Sequence, residues 1–313
     1  DAMKLHLVLV LAALASCLAA HSPEDSYVIT PFGRMLHSAV HAVPSGAVVE
    51  KRADGSVAVT LPGSAYHTLI PSLKSSGVRL PLFDTTHQPS RISQRSAEQF
   101  PSDYDGWLQY TAFHDGQGFD QFLGNFSVPD KPKSTPDMLY IFTGLQNIDW
   151  IPIVDPEPSQ AFDIIQPVLQ FPGDYGEYWS VKSWYVTLDV GALYSDEIKV
   201  SPGDVIFGNM TRTGASSWSI ASVVGSTGKA TVQNVKSARL QSQPWAYNTL
   251  ECYGCADCDT FPTQPCAFTA LQLFRGGEAV TPAWQANPKP SRNHMCNEKV
   301  SVGGAQDVTF SFQ

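Results

Sequence analysis

The sequence lacks the short motifs that identify many common enzyme classes. Its 313 residues contain no HExxH zinc motif, no Gly-x-Ser-x-Gly nucleophile turn, no phosphate-binding loop and no GxGxxG dinucleotide motif. Lysine and arginine are few and unclustered, the net charge is −9 and the isoelectric point is near 5.3. Because phosphate binding needs clustered cations, we expect no nucleic acid partner. The sequence also predicts no metal and no other cofactor.

Long apolar runs are scarce, and the one at the N-terminus has the form of an export signal. From Met3 the chain has a lysine, an apolar stretch and then small residues up to Ala20. This order is typical of a secretory signal peptide, and the stretch is short for a membrane span. Residues 1–20 are therefore predicted to be a signal peptide, and we expect a secreted monomer without a membrane span. In an exported chain, the sequons at Asn125 and Asn209 predict N-glycosylation.

Cysteine is nearly absent until the last fifth of the chain. Apart from Cys17 in the predicted signal, the cysteines are Cys252, Cys255, Cys258, Cys266 and Cys296. In an oxidising compartment they predict one or two disulfides and one remaining thiol. A zinc site in the CYGCADC run is the alternative, but no fourth ligand stands at typical spacing.

Strong periodicity is missing from residues 21–100, which are rich in Ser, Pro and His and are predicted to form an irregular N-terminal extension. Short strand-like pieces occur within it, such as 47–50 and 56–61. Between these pieces lies the dibasic pair Lys51-Arg52. The pair is either two solvated charges or a processing site, in which case the residues up to Arg52 are a pro-segment.

Residues 101–313 contain short strand-like runs and no long amphipathic helix. Branched and aromatic runs recur at a spacing of roughly 8–12 residues, separated by Gly, Pro, Asp and Asn. This pattern is typical of an antiparallel sandwich or barrel. We therefore predict an all-β domain over residues 101–313.

An amide and a carboxylate are the candidate catalytic groups. In FDIIQPVLQF, strand alternation places Gln166 on the same face as Val168 and Gln170. A buried amide without a partner costs about 1–3 kcal/mol, so this face is either wet or lined with polar groups. In PWAYNTLECY, Glu251 lies among apolar and aromatic residues, where burial would raise its pKa toward a value useful in acid–base chemistry. A solvated, outward-facing glutamate is the alternative.

Aspartates occur in turn-like sequence before and after the first strand of this domain. They are Asp103, Asp105, Asp115 and Asp120. Their composition fits a calcium site, but aspartate is common in turns for conformational reasons, so no metal site is predicted here.

Six segments of this half of the chain follow a known order and spacing. They are FLGNFSVPDKP, MLYIFTGLQN, FDIIQPVLQF, SWYVTLDVGALYSDEIKVSPGD, GKATVQNV and AYNTLECY. Together they resemble the glutamic peptidases, or eqolisins, over about residues 105–275 and the last strand. The resemblance implies a concanavalin A-like, jelly-roll β-sandwich and a secreted acid endopeptidase that uses neither a metal nor a covalent intermediate. The loop from Cys252 to Cys266 resembles the disulfide loop of that family.

The resemblance also implies roles for individual residues. The catalytic glutamine of the family matches Gln166, and its catalytic glutamate matches Glu251. We therefore expect Glu251 to activate water and Gln166 to donate a hydrogen bond to the oxyanion. Phe142 stands where the family has an active-site tryptophan. The residues expected to contact a polypeptide substrate are Phe142, Trp107, Trp184 and Tyr253.

A non-catalytic sandwich that binds carbohydrate, or that serves at a cell surface, is the alternative. Aromatic side chains available for stacking on sugars are Trp107, Trp179, Trp184 and Trp218. A carbohydrate-active enzyme on the same fold is a third possibility, because one fold hosts many functions. A peptidase needs Gln166 and Glu251 within reach of one water, whereas a glycan-binding module needs exposed aromatic side chains.

Overall fold

The computed structural model of the protein describes residues 26–76, 83, 105–152, 158–287 and 296–312. The predicted signal peptide lies outside these residues. Regular structure within them is almost entirely β-strand, as the sequence predicts. Short 3-10 turns occur at His37–Ala39, Ala238–Gln241 and Cys258–Thr260. In the part of the chain that the structure describes, no helix is long and apolar enough to cross a membrane.

The strands are numbered in chain order. The first are β1 (Tyr27–Thr30), β2 (Gly33–Leu36), β3 (Val40–Ala42), β4 (Val48–Lys51), β5 (Val57–Thr60), β6 (His67–Ile70), β7 (Gly106–His114), β8 (Gln121–Ser127), β9 (Met138–Gln146), β10 (Asp163–Phe171) and β11 (Trp179–Thr187). The others are β12 (Gly191–Tyr194), β13 (Ile198–Val200), β14 (Val205–Gly214), β15 (Ser217–Val224), β16 (Ala230–Lys236), β17 (Trp245–Tyr253), β18 (Cys266–Arg275), β19 (Glu278–Val280), β20 (Gln285–Ala286), β21 (Lys299–Val302) and β22 (Val308–Ser311).

Two large sheets form a sandwich, which confirms the predicted fold class. The first sheet has the order β20-β7-β17-β9-β10-β11-β12-β3, with β13 also paired to β11. The second has the order β21-β22-β18-β8-β14-β15-β16-β4-β5-β6, with β19 also paired to β18. Pairing is antiparallel except between β3 and β12 and between β4 and β16. Strands β10 and β11 of the first sheet pack on β14, β15 and β16 of the second.

A proline in the middle of β10 shows which side of the first sheet faces the second. Pro167 packs on Gly208 of β14, where an added Cβ would lie 2.8 Å from the proline Cγ. The hydroxyl of Ser183, which faces Pro167 on β11, donates to the carbonyl of Thr231 in the second sheet at 3.0 Å. Because side chains alternate along a strand, the neighbours of Pro167 point to the opposite, outer face of the first sheet.

Residues 27–70, which the sequence predicts to be irregular, form six strands of three or four residues each. Strand β3 joins the first sheet beside β12, and β4, β5 and β6 extend the second sheet beside β16. Strands β1 and β2 form a hairpin that joins neither large sheet, and Met35 of β2 also forms an isolated bridge with Phe83. Strands β4 and β5 coincide with the strand-like pieces predicted at 47–50 and 56–61. The other four carry too little periodicity for the sequence pattern to show them.

The dibasic pair ends β4, and its two side chains differ in environment. Lys51 is buried, and its Nζ lies 2.9 Å from Asp163 Oδ1 and 2.6 Å from Asp189 Oδ2. Arg52, by contrast, is exposed. Lys51 is therefore part of a buried ionic cluster that ties the N-terminal strands to the sandwich. Processing at Lys51-Arg52 stays a prediction.

The cysteine pairing agrees with the expectation of one or two disulfides and one remaining thiol. Cys252 is bonded to Cys255 and Cys258 to Cys296, and Cys266 is a buried free thiol. Burial raises the pKa of the Cys266 thiol. Among the described residues, no group of three or more His, Cys, Asp or Glu side chains is placed to hold a metal ion.

Candidate active site

The outer face of the first sheet holds the two predicted catalytic residues. Gln166 and Gln170 project to this face because Pro167 points into the sandwich. Across the neighbouring strands, Glu251 of β17 faces Tyr140 of β9, and Tyr140 in turn faces Gln170 of β10. Facing residues in a sheet point to the same side, so the three side chains form one row on the outer face.

Gln166 lies in a different row of the same face. It faces Trp184 on β11, and its Oε1 lies 3.6 Å from where a Cβ on Gly144 of β9 would be. Gly144 faces Tyr247 on β17, four residues before Glu251. The structure therefore places Gln166 and Glu251 on one face, separated by strand β9 across the sheet and by four residues along it.

The predicted substrate-contacting residues also lie on this face. Trp107 of β7 faces Glu251, and its ring meets that of Phe142 edge-on at 5.8 Å between centroids. The Tyr253 hydroxyl donates to Glu251 Oε1. Trp184 is the neighbour of Gln166 on β11. Local alternation along four strands thus gathers the predicted side chains on one surface.

Glu251 is a fully buried carboxyl group, with no exposed surface. Burial raises the pKa of Glu251 well above its ordinary value, because the carboxylate loses its hydration; the hydrogen bond from Tyr253 offsets this only in part. The second oxygen, Oε2, has no hydrogen-bond partner within the described residues. Glu251 is therefore a buried carboxyl group whose Oε2 makes no close hydrogen bond to the described part of the chain, although the Trp107 indole lies near enough to lower its pKa slightly.

Other buried polar atoms of this face also lack a hydrogen-bond partner within the described residues. In the described part of the chain, buried side-chain atoms without a hydrogen-bond partner are found on this face in Trp107, Gln166, Gln170, Ser180, Trp184, Thr249 and Glu251. Each such atom costs about 1–3 kcal/mol when it is buried dry. Polar atoms gathered in this way are typical of a surface that binds water or a polar ligand.

Three further polar residues of this region are not singled out by the sequence. They are Tyr140, Asp174 and Lys182. The Lys182 side chain is only 4% exposed, and its Nζ lies 2.5 Å from Asp174 Oδ1. Gln170 Nε2 donates to the same oxygen at 3.3 Å. The one sequence signal for this cluster is Lys182 itself, a lysine in an otherwise apolar strand, on the same face as Trp184.

The β1–β2 hairpin covers the face. At its tip, the Phe32 ring lies 6.4 Å from the rings of Trp107 and Phe142 and 5.8 Å from that of Trp150. The Tyr140 hydroxyl donates to the carbonyl of Ile29 in β1 at 3.1 Å. These contacts bury the row that contains Glu251.

Arg34 fastens the hairpin at its edge. Its Nη2 lies 3.1 Å from Asp137 Oδ2 and 3.8 Å from Asp105 Oδ2, and its guanidinium carbon lies 5.9 Å from the Tyr253 ring centroid. Since the hairpin pairs with neither large sheet, these contacts and the packing of Phe32 are what hold it over the face.

The remaining sequence candidates lie elsewhere. Asp115 pairs with Arg275, and Asp120 accepts from the backbone of Gly277, so these aspartates do not join Asp105 in a metal site. Asp103 lies outside the described residues. The sequon residues Asn125 and Asn209 are partly exposed and lie on adjacent strands of the second sheet, facing away from the first.

No protein-family model matches the sequence, and no curated protein matches it. Among solved structures, the fold is similar to that of scytalidoglutamic peptidase with a peptide-based transition-state analogue, at 18% identity and a TM-score of 0.48 over 67% of this chain and 98% of that one. It is similar to SCP-B, a member of the eqolisin family of peptidases in complex with the tripeptide Ala-Ile-His, at 18% identity and a TM-score of 0.47 with the same coverage. Aspergilloglutamic peptidase from Aspergillus niger matches at 19% identity and a TM-score of 0.37 over 56% of this chain and 99% of that one. These structures are of glutamic peptidases, the family that the sequence segments resemble.

Proposed function

We propose that this chain is a peptide hydrolase of the glutamic type, in which Glu251 activates the attacking water. The observation that carries the proposal is the row of Glu251, Tyr140 and Gln170 on a face with unpartnered polar atoms. A carboxyl group with a free oxygen and a nearby amide are the two groups that metal-free amide hydrolysis requires.

Each step uses one of these groups. The Glu251 carboxylate takes a proton from water as the water oxygen bonds to the scissile carbonyl carbon. A glutamine amide of the same face donates an N–H to the developing oxyanion; Gln166 is the candidate that the sequence resemblance implies, and Gln170 is the second. Glu251 then passes its proton to the leaving nitrogen as the carbon–nitrogen bond breaks. The products are a carboxylic acid and an amine, and the carboxylate is restored.

Hydrolysis requires that the hairpin leave the face, because Glu251 is wholly buried beneath it. With the hairpin in place, burial raises the pKa of Glu251 and so favours the protonated form, which cannot act as a base. Displacement of the hairpin admits water, which solvates the carboxylate and lowers the pKa. We propose activity in acidic solution, as the resemblance to the acid endopeptidases implies.

Secretion belongs to the same proposal. The disulfides Cys252–Cys255 and Cys258–Cys296 are of a kind that forms in oxidising compartments. The predicted signal peptide and the glycosylation sequons at Asn125 and Asn209 agree with export.

Cleavage of a denatured protein by the purified chain tests the proposal, measured from acidic to neutral pH with a metal chelator present. We expect activity in acid, and we expect Glu251→Gln to lower it by at least about 10²-fold. Glu298→Gln is the matched control, because Glu298 is also a buried carboxyl but lies outside this face. The Arg34→Gln variant keeps the candidate catalytic residues of wild type and is expected to hold the hairpin less tightly over them.

Two results would overturn the proposal. One is a folded wild type and a folded Arg34→Gln variant that cut nothing at any pH. The other is cleavage that survives Glu251→Gln unchanged. Sensitivity to the chelator would indicate a different, metal-dependent chemistry.

A further inference from the structure

The two glutamines of β10 stand at different distances from Glu251. Strands in a sheet are spaced about 5 Å apart and rise about 3.4 Å per residue. Gln170 is in register with Glu251 across β9, so their Cα atoms are about 10 Å apart. Gln166 is displaced by four further residues, which makes its diagonal separation from Glu251 about 17 Å. Two extended side chains can share one water across the shorter span, but not across the longer one.

The amide of Gln170 is held in a fixed orientation. Its Nε2 donates one N–H to Asp174 Oδ1 at 3.3 Å, and Lys182 Nζ holds that same oxygen at 2.5 Å. Lys182 is itself immobilised, because it is almost wholly buried and its Nζ lies 4.4 Å from the ring centroid of Tyr194. A primary amide has two N–H groups, so the second one stays available to a ligand.

Gln166 has no such support. Both atoms of its amide lack a hydrogen-bond partner among the residues described. It packs between Trp184 and Gly144, in a row that contains neither a carboxyl group nor a lysine. An amide without partners on either atom is not preorganised to meet an oxyanion.

We infer that Gln170, and not Gln166, is the amide that works with Glu251, and that the Asp174–Lys182 ion pair is its positioning device. The inference rests on the proposed function and assigns the oxyanion donor within it. Gln170 donates its free N–H to the oxyanion as the Glu251-activated water attacks. Asp174 and Lys182 touch neither the substrate nor the water. They hold the Gln170 amide in the orientation that leaves its second N–H available to the oxyanion.

The two glutamines provide a matched pair for the test. Gln170→Met and Gln166→Met each replace a buried amide with an apolar side chain of similar length on the same strand and face. We expect Gln170→Met to lower kcat about 10²- to 10³-fold with little change in KM, which is the usual effect of removing one oxyanion donor. Gln166→Met should lower kcat much less than Gln170→Met does. The melting temperature of each variant shows whether it is folded.

The outcomes separate the two proposals. If Gln166→Met is the damaged variant and Gln170→Met is not, this inference is wrong and the peptidase proposal stands. If both folded variants keep full activity while Glu251→Gln has none, the inference is also wrong. A wild type that cuts nothing overturns the peptidase proposal and this inference with it.

A second set of variants tests the positioning role. Asp174→Ala removes the acceptor that holds the amide, whereas Asp174→Asn keeps an oxygen at that place. We expect Asp174→Ala to lower kcat about tenfold or more and Asp174→Asn to restore most of it, with KM similar in both. A merely structural role would lower the melting temperature of both variants and leave kcat unchanged. That result would remove the ion pair from the inference.

Discussion

Phe32 and Trp107 lie with their ring centroids 6.4 Å apart, although the first belongs to the N-terminal hairpin and the second is the residue that faces Glu251 on β7. The contact places the hairpin tip beside the candidate catalytic carboxyl. A segment of the chain thus occupies the surface where an extended peptide would bind.

We predict that Arg34→Gln loosens this hairpin. The variant loses the ion pairs with Asp137 and Asp105, a loss of about 1 kcal/mol for partly exposed groups, which is about fivefold in the opening equilibrium. Hydrogen exchange at neutral pH should become faster in residues 27–36 and stay unchanged in the strands of the two large sheets. Arg52→Gln is the control, since Arg52 is exposed and its guanidinium contacts His67 of β6. Unchanged exchange in residues 27–36 would contradict the proposed role of Arg34.

The pH dependence of stability should reveal the free-energy cost of burying the ionised Glu251 carboxylate. A carboxyl whose pKa is raised on folding holds its proton more tightly in the folded state, so its contribution is fully present below the unfolded pKa and is lost as the pH rises toward the folded pKa. Gln resembles the protonated carboxyl. Glu251→Gln should therefore be more stable than wild type at about pH 7 and similar to it at about pH 3.

Urea unfolding at the two pH values measures this difference. Glu50→Gln is the control, because Glu50 is a half-exposed carboxyl group on β4. If Glu251→Gln were less stable than wild type at neutral pH, burial of the Glu251 carboxylate would not destabilise the folded protein.

The buried ionic cluster predicts a large effect of Lys51→Met. The substitution leaves Asp163, which has no exposed surface, without its nearest cation, and breaking a buried pair in this way costs about 3–5 kcal/mol. Lys236→Met is the matched control: Lys236 pairs with Glu50 near the end of the neighbouring strand, and both side chains are about half exposed. The control should lose less than about 1 kcal/mol. Equal losses in the free energy of unfolding would show that burial of Lys51 is unimportant.

Asp189 should make the same cluster sensitive to acid. Burial alone would raise the pKa of Asp189, but the hydrogen bond and charge of Lys51, together with Arg239, hold it below the ordinary value. Stability from a lowered pKa is present above the unfolded value, about 3.9, and is lost as the pH falls through the folded one. The free energy of unfolding of wild type should therefore decline in strong acid, and Asp189→Asn should decline less steeply. Parallel declines would assign the acid sensitivity to other carboxyls.

The candidate site was predicted from sequence in part. The faces of β10 and β17 follow from alternation, which is local, so the sequence correctly places Gln166 and Gln170 on one side and sets Glu251 among apolar neighbours. It gives no sign of which glutamine comes opposite Glu251. That depends on the register of β9 against both strands, and register is a property of pairing between distant segments.

The N-terminal extension shows the same limit. Most of its strands are too short to be shown by periodicity, and β3 and β4 pair with β12 and β16, more than a hundred residues later in the chain. From the sequence, Lys51 is only one half of a dibasic pair. The structure shows that it forms ion pairs with Asp163 and Asp189, which are distant in the sequence.

By itself, the sequence determined the all-β class and the faces of the strands. It also showed an odd number of cysteines after the predicted signal peptide, and it paired a carboxyl group with an amide as the candidate chemistry. Each of these depends on neighbours within a few residues or on composition. Only the tertiary structure decided that Glu251 is buried beneath Phe32, that Gln170 stands in its row and that Lys182 holds Asp174 beside it. These relationships join segments far apart in the chain, and they form only when the two sheets and the hairpin pack together.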